Sequence, residues 1–204
     1  MLQTATIEPA TLELLKRLMQ QPVLDQFALA GGTNLSLRYG HRLSIDLDLF
    51  TNESFSEADV FDELVTCFPG VVKTDEGRNS LSLMIEEVKV DLLAHRYPLL
   101  ANFTIETGVR LWSTDDVIAM KLGAISGRGA KKDFWDVAEL LNHFTLEQML
   151  RLFKVKYTNS DPGYIVRSLT YFDDAEEQID PIVLNNITWT EVKRRIAQAV
   201  KGLV

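Results

Sequence analysis

From residue 44 to 50 the chain alternates apolar and polar positions without a break. Ile45, Leu47 and Leu49 fall on one side and Asp46 and Asp48 on the other, the period-two pattern of a half-buried strand. The stretch 88–93 repeats it, with Val90 and Leu92 inward and Lys89 and Asp91 sharing the opposite face. Between the two, the period changes. Val60, Phe61, Leu64, Val65 and Phe68 recur at helical spacing, Ser54 and Glu57 offer a capping box in front of them, and Pro69-Gly70 stops the run. Strands are expected at 71–74 and 80–85 about a turn at 75–79, so that these two and 88–93 form an antiparallel meander. The meander lies beside a first pair, 27–30 and 44–50.

The opening reads as a helix with Pro9 near its first turn and Leu12, Leu15, Leu18 and Met19 on one face, ended by Pro22. After the strand at 27–30 come the Gly31-Gly32 break, a short helix at 34–39 and a polar turn at Gly40-His41-Arg42. Beyond Pro98 one more strand is expected at 109–112, and the rest is helical. Ser113 or Thr114 caps a helix that starts at Asp115-Asp116, runs to Ser126 and breaks at Gly127-Arg128-Gly129. The next, 132–144, turns Phe134, Val137, Ala138 and Leu141 inward. Others begin near Thr145, at Asp161-Pro162, and at Thr188 with Glu191. Strands first and helices after predict an α+β fold, a mixed β-sheet flanked by helices with a helical C-terminal half, divided at residues 1–112 and 113–204.

Composition narrows the function. With 46% hydrophobic residues in 204, the chain can fill a core. A formal charge of -8 excludes a protein that coats nucleic acid with a broad basic surface, though not one with a local basic groove. The acidity is concentrated, with seven carboxylates and no Lys or Arg between Leu43 and Val72. No stretch approaches the roughly 20 apolar residues of a membrane span, and the N-terminus has no basic region followed by an apolar run, so a cytoplasmic location away from membranes is expected. The single cysteine, Cys67, sits in an apolar stretch and reads as a small buried hydrophobe. Trp135 and Trp189 read as packing residues. Lys193, Arg194, Arg195 and Lys201 make the last helix the most basic segment, either an RNA contact or a solvated face.

Asp46 and Asp48, two apart on a strand, point the same way and can grip a hard cation such as Mg²⁺, which takes one or two protein carboxylates and completes its shell with water and phosphate oxygens. Alone they read more simply as a solvated strand face. Gly31-Gly32-Thr33, between a strand and a helix, offers backbone N–H groups and a hydroxyl to a phosphate, or is a tight turn with Thr33 as helix cap. Asp91 adds a third acid from another strand, again facing outward. Arg42, whose fork suits phosphate, is a stronger candidate than His41, which reads as a turn residue.

The run from Ala30-Gly31-Gly32-Thr33 through Gly40-His41-Arg42 to Asp46-Leu47-Asp48-Leu49-Phe50 resembles the first motif of the AbiEii/AbiGii-type nucleotidyltransferases, also described as MenA-like toxins, of the DNA polymerase β-like superfamily. Val88-Lys89-Val90-Asp91-Leu92-Leu93 resembles the second, and Lys121, residues 124–133 and Asp136 resemble the last ones. The resemblance implies a transfer of a nucleoside monophosphate from a nucleoside triphosphate to an acceptor hydroxyl, on RNA such as tRNA or on protein, with release of pyrophosphate. It further implies Mg²⁺ or Mn²⁺, two ions with the bound triphosphate, and a cognate antitoxin. Carried over by position, Gly31, Gly32 and Thr33 would hold the triphosphate, and Asp46, Asp48 and Asp91 would bind the metals, Asp91 also helping to deprotonate the acceptor. Lys121 would neutralise phosphate, Asp136 would fill the final acidic position, and Arg42, Arg128, Lys131 and Lys132 would be further contacts. Two other classes use the same residues. A non-catalytic nucleotide- or protein-binding module on this fold is disfavoured because all three acids are present; a metal-dependent phosphohydrolase would release phosphate without labelling an acceptor.

Overall fold

The computed structural model describes residues 1–203. Strands β1 (Ala28–Leu29), β2 (Leu47–Thr51), β3 (Val72–Gly77), β4 (Ser80–Ile85), β5 (Val88–Ala94), β6 (Thr104–Glu106) and β7 (Val109–Leu111) form one mixed sheet in the order β3-β4-β5-β2-β1-β7-β6. Its centre is the parallel pair β2 and β5, with β1 antiparallel to β2 and parallel to β7. The meander β3-β4-β5 stands as expected. Helices α1 (Pro9–Leu18), α2 (Gly31–Tyr39) and α3 (Glu57–Cys67) belong to the first half. The second half holds α4 (Thr114–Arg128), α5 (Lys131–Leu140), α6 (Leu146–Lys156), α7 (Pro162–Leu169), α8 (Asp173–Glu176) and α9 (Trp189–Lys201). Among the described residues no helix is long and apolar enough to cross a membrane.

The sheet separates two cores. On one face Leu47, Leu49, Leu81, Leu83, Val90 and Leu92 pack with Leu14, Leu15 and Leu18 of α1 and Val60 and Leu64 of α3. On the other, Ala28, Ala30 and Trp112, with Phe50 half-buried, join the side chains of α4 to α7 and α9. Full burial of a leucine contributes about 1.5 to 3 kcal/mol. A one-residue slip of β2 would cost this for Leu47 and Leu49 and drive Asp48 into the apolar layer, so the hydrophobic alternation fixes which face carries the acid.

Several expectations need correction. The alternation at 44–50 overstates the strand, which begins at Leu47, and Ile45 is 66% exposed. Residues 43–46 find partners outside the sheet: Leu43 N donates to Ile182 O, Ser44 N to Thr6 O, and the Thr33 hydroxyl to Asp46 O. Asp46 therefore precedes the strand that carries Asp48. The cap of α3 is Ser56, whose side chain accepts from Asp59 N, in place of Ser54. Glu57 reaches instead to the backbone N–H of Asn79 in the β3-β4 turn. That turn is shorter than expected, because β3 continues to Gly77 and left-handed Asn79 closes the hairpin. Gly31, Gly32 and Thr33 are the first residues of α2, and Gly127 and Arg128 remain within α4, which left-handed Gly129 ends. Helix α5 ends at Leu140, short of Phe144. Cys67 is exposed, because Leu64 and Phe68 take up the contact at that end of α3. Trp135 and Trp189 do pack, stacked with ring centres 5.2 Å apart.

Candidate active site

Strand pairing sets Asp48 directly beside Asp91 on the face opposite Leu47, Leu49, Val90 and Leu92. Asp46 is brought alongside by the buried Thr33 hydroxyl, which bridges Ser44 Oγ and Asp46 O. The two glycines before Thr33 are required by close approach. Gly31 has φ of 63°, and a Cβ there would lie 1.9 Å from Asp48 Oδ2; one on Gly32 would lie 2.2 Å from Arg42 Nη2. As the opening residues of α2, all three leave backbone N–H groups without helical partners, next to the acids. Thr33 thus serves as the strut that positions Asp46, and its hydroxyl is already engaged.

The helical half supplies most of the cations, Lys121, Arg128 and Lys132, and the first half adds Arg42 and Lys89. Asp136 of α5, fully buried, accepts from His41 Nε2 at 2.7 Å and from Arg42 Nε and Nη2 at 2.7 and 2.9 Å, and lies 2.8 Å from Lys121 Nζ of α4. Asp133, one turn earlier, accepts from Lys121 at 2.8 Å and from Arg128 at 2.8 and 3.0 Å. Burial alone would raise both carboxyls, but Arg42 and Lys121 hold Asp136 well below the usual range, and Lys121 and Arg128 hold Asp133 below it. Lys121 answers in kind: burial would lower it, and Asp136 and Asp133 outweigh that and raise it. Asp136 is the hub that orients Arg42 and Lys121, and these two reach the cavity in its stead.

That cavity, about 80 Å³, is lined by Gly32, Arg42, Ser44, the three acids, Lys89, Lys121, Arg128 and Lys132. The structure gathers almost every residue singled out in the sequence. Lys131 is the exception: its ammonium turns away to Glu176 O, Gln178 O and Asp180. Its neighbour Lys132 takes the place at the site, 3.4 Å from Asp46 Oδ2. Lys89 Nζ stands 2.6 Å from Asp91 Oδ2, and Ser82 Oγ donates to Asp91 Oδ1 at 2.6 Å. The sequence signal for Lys89 was its position two before Asp91 on one strand face. The basic residues of α9 lie apart from this cavity, with Lys193 bonded to Glu176 and Arg194 to Glu191.

The donor set suits a hard divalent cation. Burial pushes the Asp48 carboxyl up against the opposing pull of Lys121, and the neighbouring Asp91 and Asp46 push it further. Among the described residues no hydrogen bond reaches the Asp48 carboxylate, so its oxygens are free to ligate. No three carboxylate, imidazole or thiol groups among those residues enclose an ion by themselves.

A family model described as "Nucleotidyl transferase AbiEii toxin, Type IV TA system" matches residues 13–201. A curated but uncharacterized protein of Aquifex aeolicus is 34% identical over 198 residues, covering 93% of each chain. Among solved structures, MenT4, a nucleotidyltransferase toxin of Mycobacterium tuberculosis, superposes with a TM-score of 0.57 at 16% identity, covering 96% of this chain and 84% of that one. A Helicobacter pylori protein does so with a TM-score of 0.56 at 19% identity, covering 97% and 94%. At such identity these two structures show the shared fold.

Proposed function

The chain belongs to the AbiEii nucleotidyl transferase toxin family, and from that membership we propose that it moves a nucleoside monophosphate from a nucleoside triphosphate to an acceptor hydroxyl, with release of pyrophosphate. The observation that carries this reading is the polar cavity where Asp46, Asp48 and Asp91 face Arg42, Lys121, Arg128 and Lys132. Acids on one wall and cations on the other suit a metal-bound triphosphate. The acceptor is an RNA such as tRNA, or a protein hydroxyl. The biological setting is a toxin-antitoxin pair in the cytoplasm, where a cognate antitoxin restrains the enzyme.

Two Mg²⁺ or Mn²⁺ ions, held by Asp46, Asp48 and Asp91, would supply neutralisation of the charge that develops on the attacking and leaving oxygens. The chain's own residues do the positioning. The N–H groups of Gly31 and Gly32 and the Lys121 ammonium face the triphosphate. Arg128 and Lys132, more exposed, steady the leaving pyrophosphate, and Arg42, fixed by Asp136 and by Nη1 donating to Leu43 O, turns its remaining Nη2 N–H to a phosphate oxygen. Asp91 accepts the acceptor's proton, and Lys89, 2.6 Å from its Oδ2, holds that carboxylate in place. No covalent enzyme intermediate is needed. Catalysis of this kind is placement and charge stabilisation. In this reading residues 1–112 supply the three acids with Arg42 and Lys89, residues 113–204 supply Lys121, Arg128 and Lys132, and neither half is competent alone.

The test incubates the full chain with each α-labelled nucleoside triphosphate, Mg²⁺ or Mn²⁺, and mixed RNA or protein acceptors. Label should pass to one acceptor class and be lost on chelation and in Asp46→Ala and Asp48→Ala. Transfer that survives both substitutions, or no transfer to any acceptor, overturns the proposal.

A further inference from the structure

Three cavities lie end to end along the helical side of the sheet. The polar one shares Asp48, Lys121 and Arg128 with a second of about 290 Å³. The second shares Phe50, Met120 and Ala124 with a third of about 360 Å³, and the first and third share no lining residue. The central strands set this order. Asp48 and Phe50 are two apart on one face of β2, Asp91 and His95 are four apart along β5 and its continuation, and His95 N extends the ladder by donating to Thr51 O at 2.7 Å. At about 3.3 Å per residue, His95 lies roughly 13 Å along the sheet from Asp91. The chemistry is graded the same way. Charged groups line the first cavity, Phe50, Val117, Met120 and Ala124 much of the second, and His95, Tyr97, Phe153 and Tyr157 much of the third.

A nucleoside triphosphate has that sequence of parts: an anionic chain, a sugar, then a flat neutral heterocycle. We propose that the chamber formed by His95, Tyr97 and Tyr157 receives the base of the donor nucleotide and discriminates among bases, with the ribose in the middle cavity. The inference rests on the nucleotidyl-transfer reading of the polar cavity.

Tyr97 is 48% exposed, and its ring packs 4.9 Å from His95 and 4.7 Å edge-on to Tyr157 and offers a face on which a base can stack. Tyr157 OH and His95 Nε2 share a hydrogen bond of 2.9 Å, which fixes the two rings against each other in the chamber. Burial pushes the His95 imidazole down to about 4 and the Tyr157 phenol well up, so this pair is neutral at physiological pH. A neutral pair suits an uncharged base and is a poor host for phosphate. The rings are also held in advance. Lys156 Nζ donates to Pro98 O at 3.0 Å and to Asp116 at 2.6 Å, and Asp116 accepts from Leu100 N and Ala101 N, which ties the loop after β5 to α4. A site whose loop is already ordered loses less entropy on binding.

The experiment measures equilibrium binding, with Mg²⁺, of the α,β-methylene analogues of ATP, CTP, GTP and UTP and of inorganic triphosphate to the full chain. The wild type should bind at least one nucleotide more tightly than triphosphate. Tyr97→Ala should weaken that nucleotide about tenfold, in line with loss of one stacked base, and leave triphosphate unchanged. Tyr157→Phe, which keeps the ring, should alter the ratio between bases. Unchanged nucleotide affinity in Tyr97→Ala overturns the inference; if the acceptor KM rises in that variant, the chamber holds the acceptor's base. Equal affinity for triphosphate and every nucleotide also overturns it while leaving the transfer reading intact. No binding of either by the wild type overturns the transfer reading itself.

Discussion

Asp136 and Asp48 stand in one site with opposite surroundings. Asp136 has four cationic or donor contacts from His41, Arg42 and Lys121, whereas half-buried Asp48 lies between Lys121, which favours its charge, and Asp91 and Asp46, which oppose it. Removing one member of a buried charge network leaves the others uncompensated, at about 3 to 5 kcal/mol. Asp136→Asn is therefore expected to lower stability by that amount in urea denaturation, while Asp48→Asn, which relieves repulsion, changes it by less than about 1 kcal/mol; equal losses would remove Asp136 from its role as hub. The pH dependence follows from the same groups. Asp133 and Asp136 titrate lower when folded than when unfolded, so their contribution is present above the ordinary carboxylate range and is lost as pH falls through the folded values. His95, pushed from 6.5 to about 4, takes up a proton first in the unfolded chain, so stability also declines as pH falls from about 6.5 to about 4. Thermal melts across pH 7 to 4 should show this upper limb, and His95→Phe should flatten it; an unaltered limb in the variant would show that another group causes it. At this scale the sequence displayed the acids because alternation displays them. It could not show that Thr33 would turn inward or Arg42 pair with Asp136, since both depend on partners that only folding brings near.

Elements were legible where one physical rule acts alone. Alternation placed β5 and the cores of β2 and β4, and helical spacing with Gly or Pro stops placed α1, α3 and α4. Failures came where tertiary contacts overrode local pattern. Ile45 continues the alternation yet lies outside the sheet, because the 43–46 segment bonds to Thr6, Thr33 and Ile182. Strand β6 was not foreseen, since its three residues are short and mostly exposed and gain their pairing from β7 across the left-handed Thr107-Gly108 turn. The start of α3 shows the same competition. Ser54-x-x-Glu57 fits a capping box, but Glu57 is drawn to Asn79 N and the helix begins two residues later under Ser56. Ser56→Ala should cost about 1 kcal/mol and Ser54→Ala only a few tenths in parallel denaturation curves. The reverse order would restore the cap read from sequence.

All seven strands lie in the first half of the chain, but the helices of the second half cover one face of the sheet, and this governs how the molecule unfolds. Ala28, Ala30 and Phe50 come from the first half yet pack into the helical core, and the ion network joins His41 and Arg42 to Asp136 across 94 residues of chain. A stable 1–112 fragment would have to expose that apolar face and leave Arg42 without its counter-ion, both strongly unfavourable. Cooperative units separate only where few such contacts cross. All three tryptophans, Trp112, Trp135 and Trp189, lie in or against the helical core, so their fluorescence reports that half, whereas far-ultraviolet circular dichroism reports sheet and helices together. The two signals should lose structure at the same urea concentration with the same slope. A fluorescence midpoint displaced from the dichroism midpoint would mean that the helical half melts on its own. Adding Mg²⁺ with a nucleoside triphosphate analogue that binds the cavity should move both midpoints upward together, because a ligand held by the acids and Arg42 of one half and by Lys121, Arg128 and Lys132 of the other stabilises only the joined state. A shift confined to one signal would place the ligand within a single half, and the pairing of acids with cations across the cavity would then not be what holds it.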